Sequence, residues 1–187
     1  DSEIELSDDS DGIKELPADA PVGARLIDYL ELSDAVLELD NKSLTHRPDL
    51  WGHYGFAREL ATILKRPLND YPSEFIWPGN SSEYSLELDG QQFAHCYQLA
   101  ELSIGKGPQP SPGWMQKRLL SVGQRIVSDV VDVSNYVMLE LGQPTHAFDK
   151  AKVSGKQLNV RPANEKECFV ALDESSCELV ASDFVIA

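Results

Sequence analysis

The sequence predicts an α+β protein: a mixed β-sheet with short packed helices. Three observations point there. Strand text recurs at 84–104, 126–133 and 157–187, and apolar residues recur at helical spacing over 48–65, 112–122 and 135–141. The 187 residues are 42% hydrophobic and 25% charged, the composition of a folded protein, and no apolar run approaches the roughly 20 residues of a membrane-spanning helix.

Residues 1–34 read as an irregular acidic lead-in, with Pro17 and Pro21 bracketing an acidic stretch and 24–30 offering one or two helical turns. Residues 1–40 hold 13 of the 31 acidic side chains and two of the 16 basic ones, so much of the net charge of −15 sits there. A field of that sign opposes phosphate binding, so any contact with nucleic acid has to be local and weak for this chain alone. Asp8, Asp9 and Asp11 around Ser10 read as a solvated turn, because no glutamate follows at calcium-loop spacing.

Val36-Leu37-Glu38-Leu39 reads as a strand. After Arg47-Pro48-Asp49, the residues Leu50, Tyr54, Ala57, Ala61 and Leu64 mark one face of a helix over 48–65, which Pro67 stops. Gly52 and Gly55 lower helix propensity there and predict another backbone, or a partner, packed closely against its first turns. Residues 69–82 form a Pro-, Ser- and Asn-containing connector at a domain boundary, dividing 35–70 from 71–187. Tyr84, Leu86 and Leu88 alternate with polar residues, Asp89-Gly90 signals a turn, and 94–104 returns as strand text, predicting a hairpin. Pro112 opens a helix whose buried stripe is Met115, Leu119 and Val122, with Trp114 beside it, Lys117 and Arg118 on its wet side and Gly123 at its end.

The β-branched run 126–133 predicts a strand leading directly into a helix over 135–141, with Ser134 as its N-cap and Gly142 at its end. Such a junction would aim the backbone N–H groups of Ser134 and Asn135 outward, where they can bind an anion or a polarised carbonyl. Asp132 and Asp149 read as residues that cap backbone N–H groups. Short strands are predicted at 158–161, 169–172, 178–180 and 184–187. Cys96, Cys168 and Cys177, an odd number, read as free thiols of a reducing compartment. A turn centred on 173–176 sets Cys177 opposite Leu172, so Cys168 and Cys177 read as small core residues without a disulfide. The spacing of Cys and His residues supplies no zinc motif.

The stretch Val130-Val131-Asp132-Val133-Ser134-Asn135-Tyr136-Val137-Met138-Leu139-Glu140-Leu141-Gly142-Gln143-Pro144-Thr145-His146-Ala147-Phe148-Asp149 closely resembles the hallmark text at the start of the B3/B4 domain of the bacterial-type phenylalanyl-tRNA synthetase β subunit. Thr45-His46-Arg47-Pro48-Asp49, with Gly55-x-Ala57-Arg58-Glu59, resembles the Asn-Arg-Pro-Asp segment and helix of the adjoining B1 region, His46 standing where Asn is usual. Val170-Ala171-Leu172-Asp173, Leu179 and Val185-Ile186-Ala187 resemble the hairpin text that follows.

The resemblance implies a B1-like segment at 35–70 and a B3/B4-like domain at 71–187, incomplete at its C-terminal end. It implies a parent ligase that uses ATP and magnesium, with aminoacylation on a partner α subunit in an α2β2 heterotetramer in the cytoplasm, and no cofactor in this part. In the family, B3/B4 hydrolyses tyrosine mischarged onto phenylalanine tRNA, because a pocket for phenylalanine cannot strongly reject an isostere with one added hydroxyl. Carried over by position, Arg125, Ser134, Asn135 and His146 fall on editing-site residues that receive the tRNA acceptor end, Ser134 replacing the usual Thr. His146 can order the water or bind the terminal adenosine, or tie down the Pro144 turn; Arg125 can meet a phosphate, or pair with Asp129. The family's tyrosine-recognising glutamate falls beyond Ala187, so this piece alone is expected to be inactive. Two alternatives stand beside editing, a non-catalytic tRNA-docking or assembly module and a free-standing B3/B4-like protein. The start at Asp1 without a methionine and the stop in strand text read as a piece of a longer chain.

Overall fold

A computed structural model describes residues 13, 15–31, 33–71, 79, 82–89, 94–171 and 174–187. The acidic turn at 8–12, Gly90 of the 89–90 turn, and Leu172 and Asp173 lie outside the described residues. The chain forms two units, one of residues 1–71 and 106–147, the other of 72–105 and 148–187.

The first unit is helical: α1 (Leu26–Tyr29), α2 (His53–Leu64), α3 (Gly113–Ser121) and α4 (Asp129–Leu141), with 3₁₀ turns at Lys42–Leu44 and Pro48–Trp51. Both α2 and α3 pack on α4, and Leu50, Met115 and Leu119 are buried. The helix predicted over 48–65 is present but broken, because Gly52 is extended (φ −130°, ψ 152°) between the 3₁₀ turn and α2. Residues 36–39, read as a strand, have no ladder partner among the described residues, and Val36, Leu37 and Leu39 lie exposed.

The largest departure is at 126–133, where the predicted strand is replaced by the start of α4 at Asp129. Intrinsic propensity separates Val from a good helix former by well under about 1 kcal/mol per residue, which local bonding overrides. Asp129 and Asp132 occupy the first turn of α4, where the helix dipole favours carboxylates, and the buried Asp132 side chain accepts the Val127 N–H at 2.9 Å. Ser128 therefore takes the N-cap position, and Ser134 lies in mid-helix.

The glycines of the broken helix mark a contact between backbones. A Cβ on Gly52 would stand 2.6 Å from the Leu141 carbonyl carbon and 2.9 Å from the Glu140 oxygen, and closer still to the Gly142 nitrogen. One on Gly55 would overlap the Asp49 carbonyl, and one on Gly142, which ends α4 at φ 74°, would meet the Pro48 oxygen at 2.9 Å. The start of α2 and the end of α4 thus touch main chain to main chain, as the glycines predict. Around this corner Arg47 grips Asp49 in a bidentate pair (2.9 and 2.9 Å) and reaches Glu59 at 3.0 Å, while Arg58 adds a second bond to Asp49 at 3.0 Å. Hydrogen bonding from Arg47 holds the Asp49 carboxyl far below the usual range. His53 Nδ1–H donates to the Leu139 carbonyl at 2.8 Å, since a carbonyl can only accept. The Tyr71 hydroxyl donates to Glu140 at 3.1 Å while its ring meets Tyr54 edge-on at 5.1 Å.

In the second unit, β1 (Ser85–Leu88), β2 (Gln157–Pro162) and β5 (Phe184–Ile186) form a mixed sheet in the order β1-β2-β5. β1 runs parallel to β2 with Ser85 opposite Gln157, and β5 runs antiparallel with Ile186 opposite Val160. The hairpin predicted over 84–104 does not form, since β1 pairs with β2 and residues 94–104 hold no strand. The pairing that wins places β1 beside the most buried strand of the unit, whose Leu158 and Val160 are 5% and 0% exposed. β3 (Cys168–Val170) and β4 (Ser176–Glu178) make a separate hairpin with Cys177 opposite Phe169, not Leu172. All three cysteines are free, as expected, but exposed, so Cys168 and Cys177 are not core residues: a two-stranded ribbon has no second layer to bury them. The Asp149 side chain accepts the Ala151 N–H at 3.0 Å and caps a 3₁₀ turn at Lys150–Lys152, as predicted.

Gly52→Ala forces backbone apart and is expected to destabilise the fold by about 1–3 kcal/mol, whereas Gly113→Ala, with open space around it, is neutral or stabilising by up to about 1 kcal/mol. Thermal melts of the two variants check the contrast, and equal melting temperatures would contradict it.

At the end of β2, Arg161 holds Glu167 by two bonds (2.9 and 2.8 Å) and the Asn164 N–H adds a third at 2.8 Å, which together lower the Glu167 pKa to about 2. A carboxyl depressed on folding contributes stability above its unfolded value of about 4.3 and loses it as pH falls through the folded value. Denaturation midpoints measured between these limits should fall less steeply with acid in Glu167→Gln than in the unsubstituted chain.

Candidate functional site

Every residue singled out for chemistry lies on or beside α3 and α4. Asp132, in the first turn of α4, is fully buried and joins two elements by accepting the Ser111 hydroxyl at 2.5 Å and the Val127 N–H at 2.9 Å. Ser111 directly precedes Pro112, the N-cap of α3, so one carboxylate ties together the approaches to both helices. The capping role read for Asp132 is what the structure holds.

Ser134 and Asn135 are half-buried neighbours in the middle of α4. Their backbone N–H groups belong to the helical ladder and are not the outward donors of a strand-to-helix junction, so any chemistry they perform comes from side chains. The Ser134 hydroxyl donates to the Val131 carbonyl at 2.7 Å, which commits its proton and leaves its lone pairs. His146 follows α4 by five residues, in the exposed loop after the left-handed Gly142 and Pro144. Arg125 is exposed and pairs with no carboxylate among the described residues. Asp129, its suggested mate, accepts the backbone N–H groups of Gln109 (3.1 Å) and Val130 (2.8 Å). The structure thus sets Ser134 and Asn135 side by side on α4, with Arg125 before that helix and His146 after it.

A second group joins α3 to α4. The Arg118 guanidinium lies 5.5 Å from the centroid of the Trp114 ring and donates to the Tyr136 hydroxyl at 2.8 Å, and Trp114 and Tyr136 meet edge-to-face at 5.3 Å. Trp114 remains 52% exposed. Lys117, expected in water, is half-buried and pairs with Glu31 at 3.2 Å. In the sequence only the spacing of Trp114 and Arg118, one helical turn apart, points to this cluster, and Tyr136 carries no mark of it.

Residues 97–187 match the model of the B3/4 domain family. Over the whole chain, a phenylalanine–tRNA ligase beta subunit of Solibacter usitatus is 41% identical. The same-named proteins of Leptospira interrogans and Bdellovibrio bacteriovorus are 44% and 40% identical over 93% and 98% of the chain. The chain is a homologue of phenylalanine–tRNA ligase beta subunits and carries a B3/4 domain. It spans 24%, 22% and 22% of the length of these three relatives. The B3/4 match takes in Arg125, Ser134, Asn135, His146 and the Trp114–Arg118–Tyr136 cluster.

Asp132→Ala strands a buried hydroxyl and a half-buried N–H and is expected to cost about 1–3 kcal/mol for each donor left unpaired. Asp132→Asn retains an acceptor oxygen and should lose less, and chemical denaturation of both variants gives the comparison.

Proposed function

We propose that this chain is the part of a phenylalanine–tRNA ligase beta subunit that removes tyrosine mischarged onto phenylalanine tRNA, aminoacylation itself being carried out with a partner alpha subunit in an α2β2 enzyme of the cytoplasm. The observation that carries the reading is the B3/4 match over 97–187 within a chain about 40% identical throughout to named beta subunits. The reaction is ester hydrolysis: water attacks the tyrosyl carbonyl carbon, the bond to the terminal ribose oxygen breaks, tyrosine leaves as the acid and the ribose hydroxyl is restored.

In this reading the Asn135 carboxamide donates to the developing oxyanion, the Ser134 oxygen accepts from the attacking water or the ribose, and His146 orders the water or binds the terminal adenosine. Arg125 takes a phosphate of the acceptor end. Helical residues suit this use because their side chains, two in sequence on one rigid element, are held in fixed relation. ATP and magnesium belong to the charging reaction of the parent enzyme. Among the described residues no group of three or more His, Cys, Asp or Glu side chains is gathered to hold a cation, and no step here runs through either.

In the complete ligase, His146→Ala is expected to slow hydrolysis of tyrosyl-tRNA for phenylalanine by about 10²–10⁴-fold, and Asn135→Ala by about 10²–10³-fold. Deacylation of mischarged tRNA measures both, with phenylalanine charging followed in parallel to report folding. Editing at the unsubstituted rate in His146→Ala would assign that histidine to the Pro144 turn.

A further inference from the structure

The cluster of Trp114, Arg118 and Tyr136 has more exposure and more charge than a helix clasp needs. Two helices can be tied by apolar packing, yet here a half-exposed indole is overlaid by a guanidinium whose own bond runs to a tyrosine hydroxyl. An aromatic face beside arginine is the arrangement on which an unpaired nucleobase stacks while its phosphate meets the cation.

The charge pattern of the chain selects that occupant over others. Residues 102–128 contain Lys106, Lys117, Arg118 and Arg125 and no Asp or Glu, within a chain whose net charge is −15; Lys117 is matched by Glu31 at 3.2 Å, which leaves Arg118 as the cation at the aromatic pair. Asp129, the first acid after this stretch, is turned to the backbone N–H groups of Gln109 and Val130. Arg118 has no carboxylate partner among the described residues and lies against Trp114 and Tyr136. A locally basic segment that presents an exposed aromatic beside arginine, set in an acidic chain, is complementary to a polyanion with unpaired bases, while the acidic remainder repels one, which confers orientation as well as contact.

We propose that Trp114, Arg118 and Tyr136 form a docking surface for the unpaired 3′ end of a tRNA, with a base stacking on Trp114 and its phosphate held by Arg118. This rests on the editing reading above and extends it, since Tyr136 directly follows Ser134 and Asn135 on α4. The surface would steer the acceptor end along the helix that carries them.

The test uses the complete ligase and mischarged tRNA whose terminal adenosine, or the cytidine before it, carries a photoreactive azide. Expected is a crosslink to the peptide holding Trp114 or to that holding Tyr136. Trp114→Ala is expected to raise the KM for deacylation about 10-fold with little change in kcat, and Trp114→Phe, which keeps a stacking face, to stay within about threefold of the unsubstituted enzyme. Arg118→Gln should reduce the log–log salt dependence of tRNA binding by about 0.7, the loss of one phosphate contact on a single strand; it also tests the surface if Trp114→Ala fails to fold. Crosslinks confined to other peptides, or an unchanged KM and salt slope, overturn the proposal and leave the cluster as a clasp between helices. Binding of an acidic protein segment in place of RNA would do the same. A crosslink at Trp114 together with normal editing in His146→Ala would uphold the surface while removing the assigned role of His146. The converse result would remove the surface and keep the histidine.

Discussion

Everything in the helical unit depends on a place where side chains are excluded. Gly52 and Gly142 lie so close that a single methyl group on the first would overlap the main chain of the second, and Gly55 is pressed in the same way against Asp49. Backbone contact at this range gains dispersion energy over many atom pairs, but only with glycine at each position. The surrounding ion pairs orient it: Arg47 and Arg58 converge on Asp49, and Arg47 also reaches Glu59. These partly solvated bonds add direction more than energy. Through this corner the position of α2 fixes the C-terminal end of α4, and so the point at which the loop bearing His146 departs.

The other end of α4 is fixed by a different kind of contact. Asp132 is fully buried and satisfied by two donors, one on the approach to α3 and one just before α4. A buried carboxylate with its hydrogen bonds made is costly to disturb and specific in geometry. With one end held by a carboxylate and the other by glycines, α4 has little freedom to slide or rotate, and Ser134, Asn135 and Tyr136 occupy the stretch between.

Several of these features were legible in the residues themselves. Gly52 and Gly55 in an otherwise regular helical pattern announced a close backbone, and Asp132 and Asp149 announced capping, because in each case the side chain's chemistry has few other uses. The mixed sheet was readable too, from the alternation of Leu158 and Val160 with polar residues in 157–162 and the apolar run at 184–186. The failures arose where local text was indifferent to its partner. Residues 126–133 are β-branched and read as strand, yet Asp129 and Asp132 at helix-start positions, together with the packing of α2 and α3, decide for helix. The alternation at 85–88 marks a strand but not its partner, and the Asp89-Gly90 turn signal points to a hairpin that does not form, since pairing to a segment about 70 residues away leaves no mark in the neighbouring sequence. The Trp114–Arg118–Tyr136 group escaped for the same reason, as two of its members are on one helix and the third is on another.

The order in which the chain visits its two units has a consequence for how it can be made and cut. It passes from the first unit to the second after residue 71, returns after 105, and leaves again after 147, so each unit is assembled from two separated pieces and each interrupts the other. The B3/4 match, beginning at residue 97, accordingly crosses this partition. On a ribosome the sheet must wait for β2, by which time α3 and α4 have been synthesised, and closure of the parallel β1–β2 pair spans a loop whose entropy, about 4 kcal/mol if disordered, shrinks once the intervening helices have folded. A protease cutting any one of the three crossings would leave at least one fragment carrying segments of both units, and no single cleavage would release either of them whole.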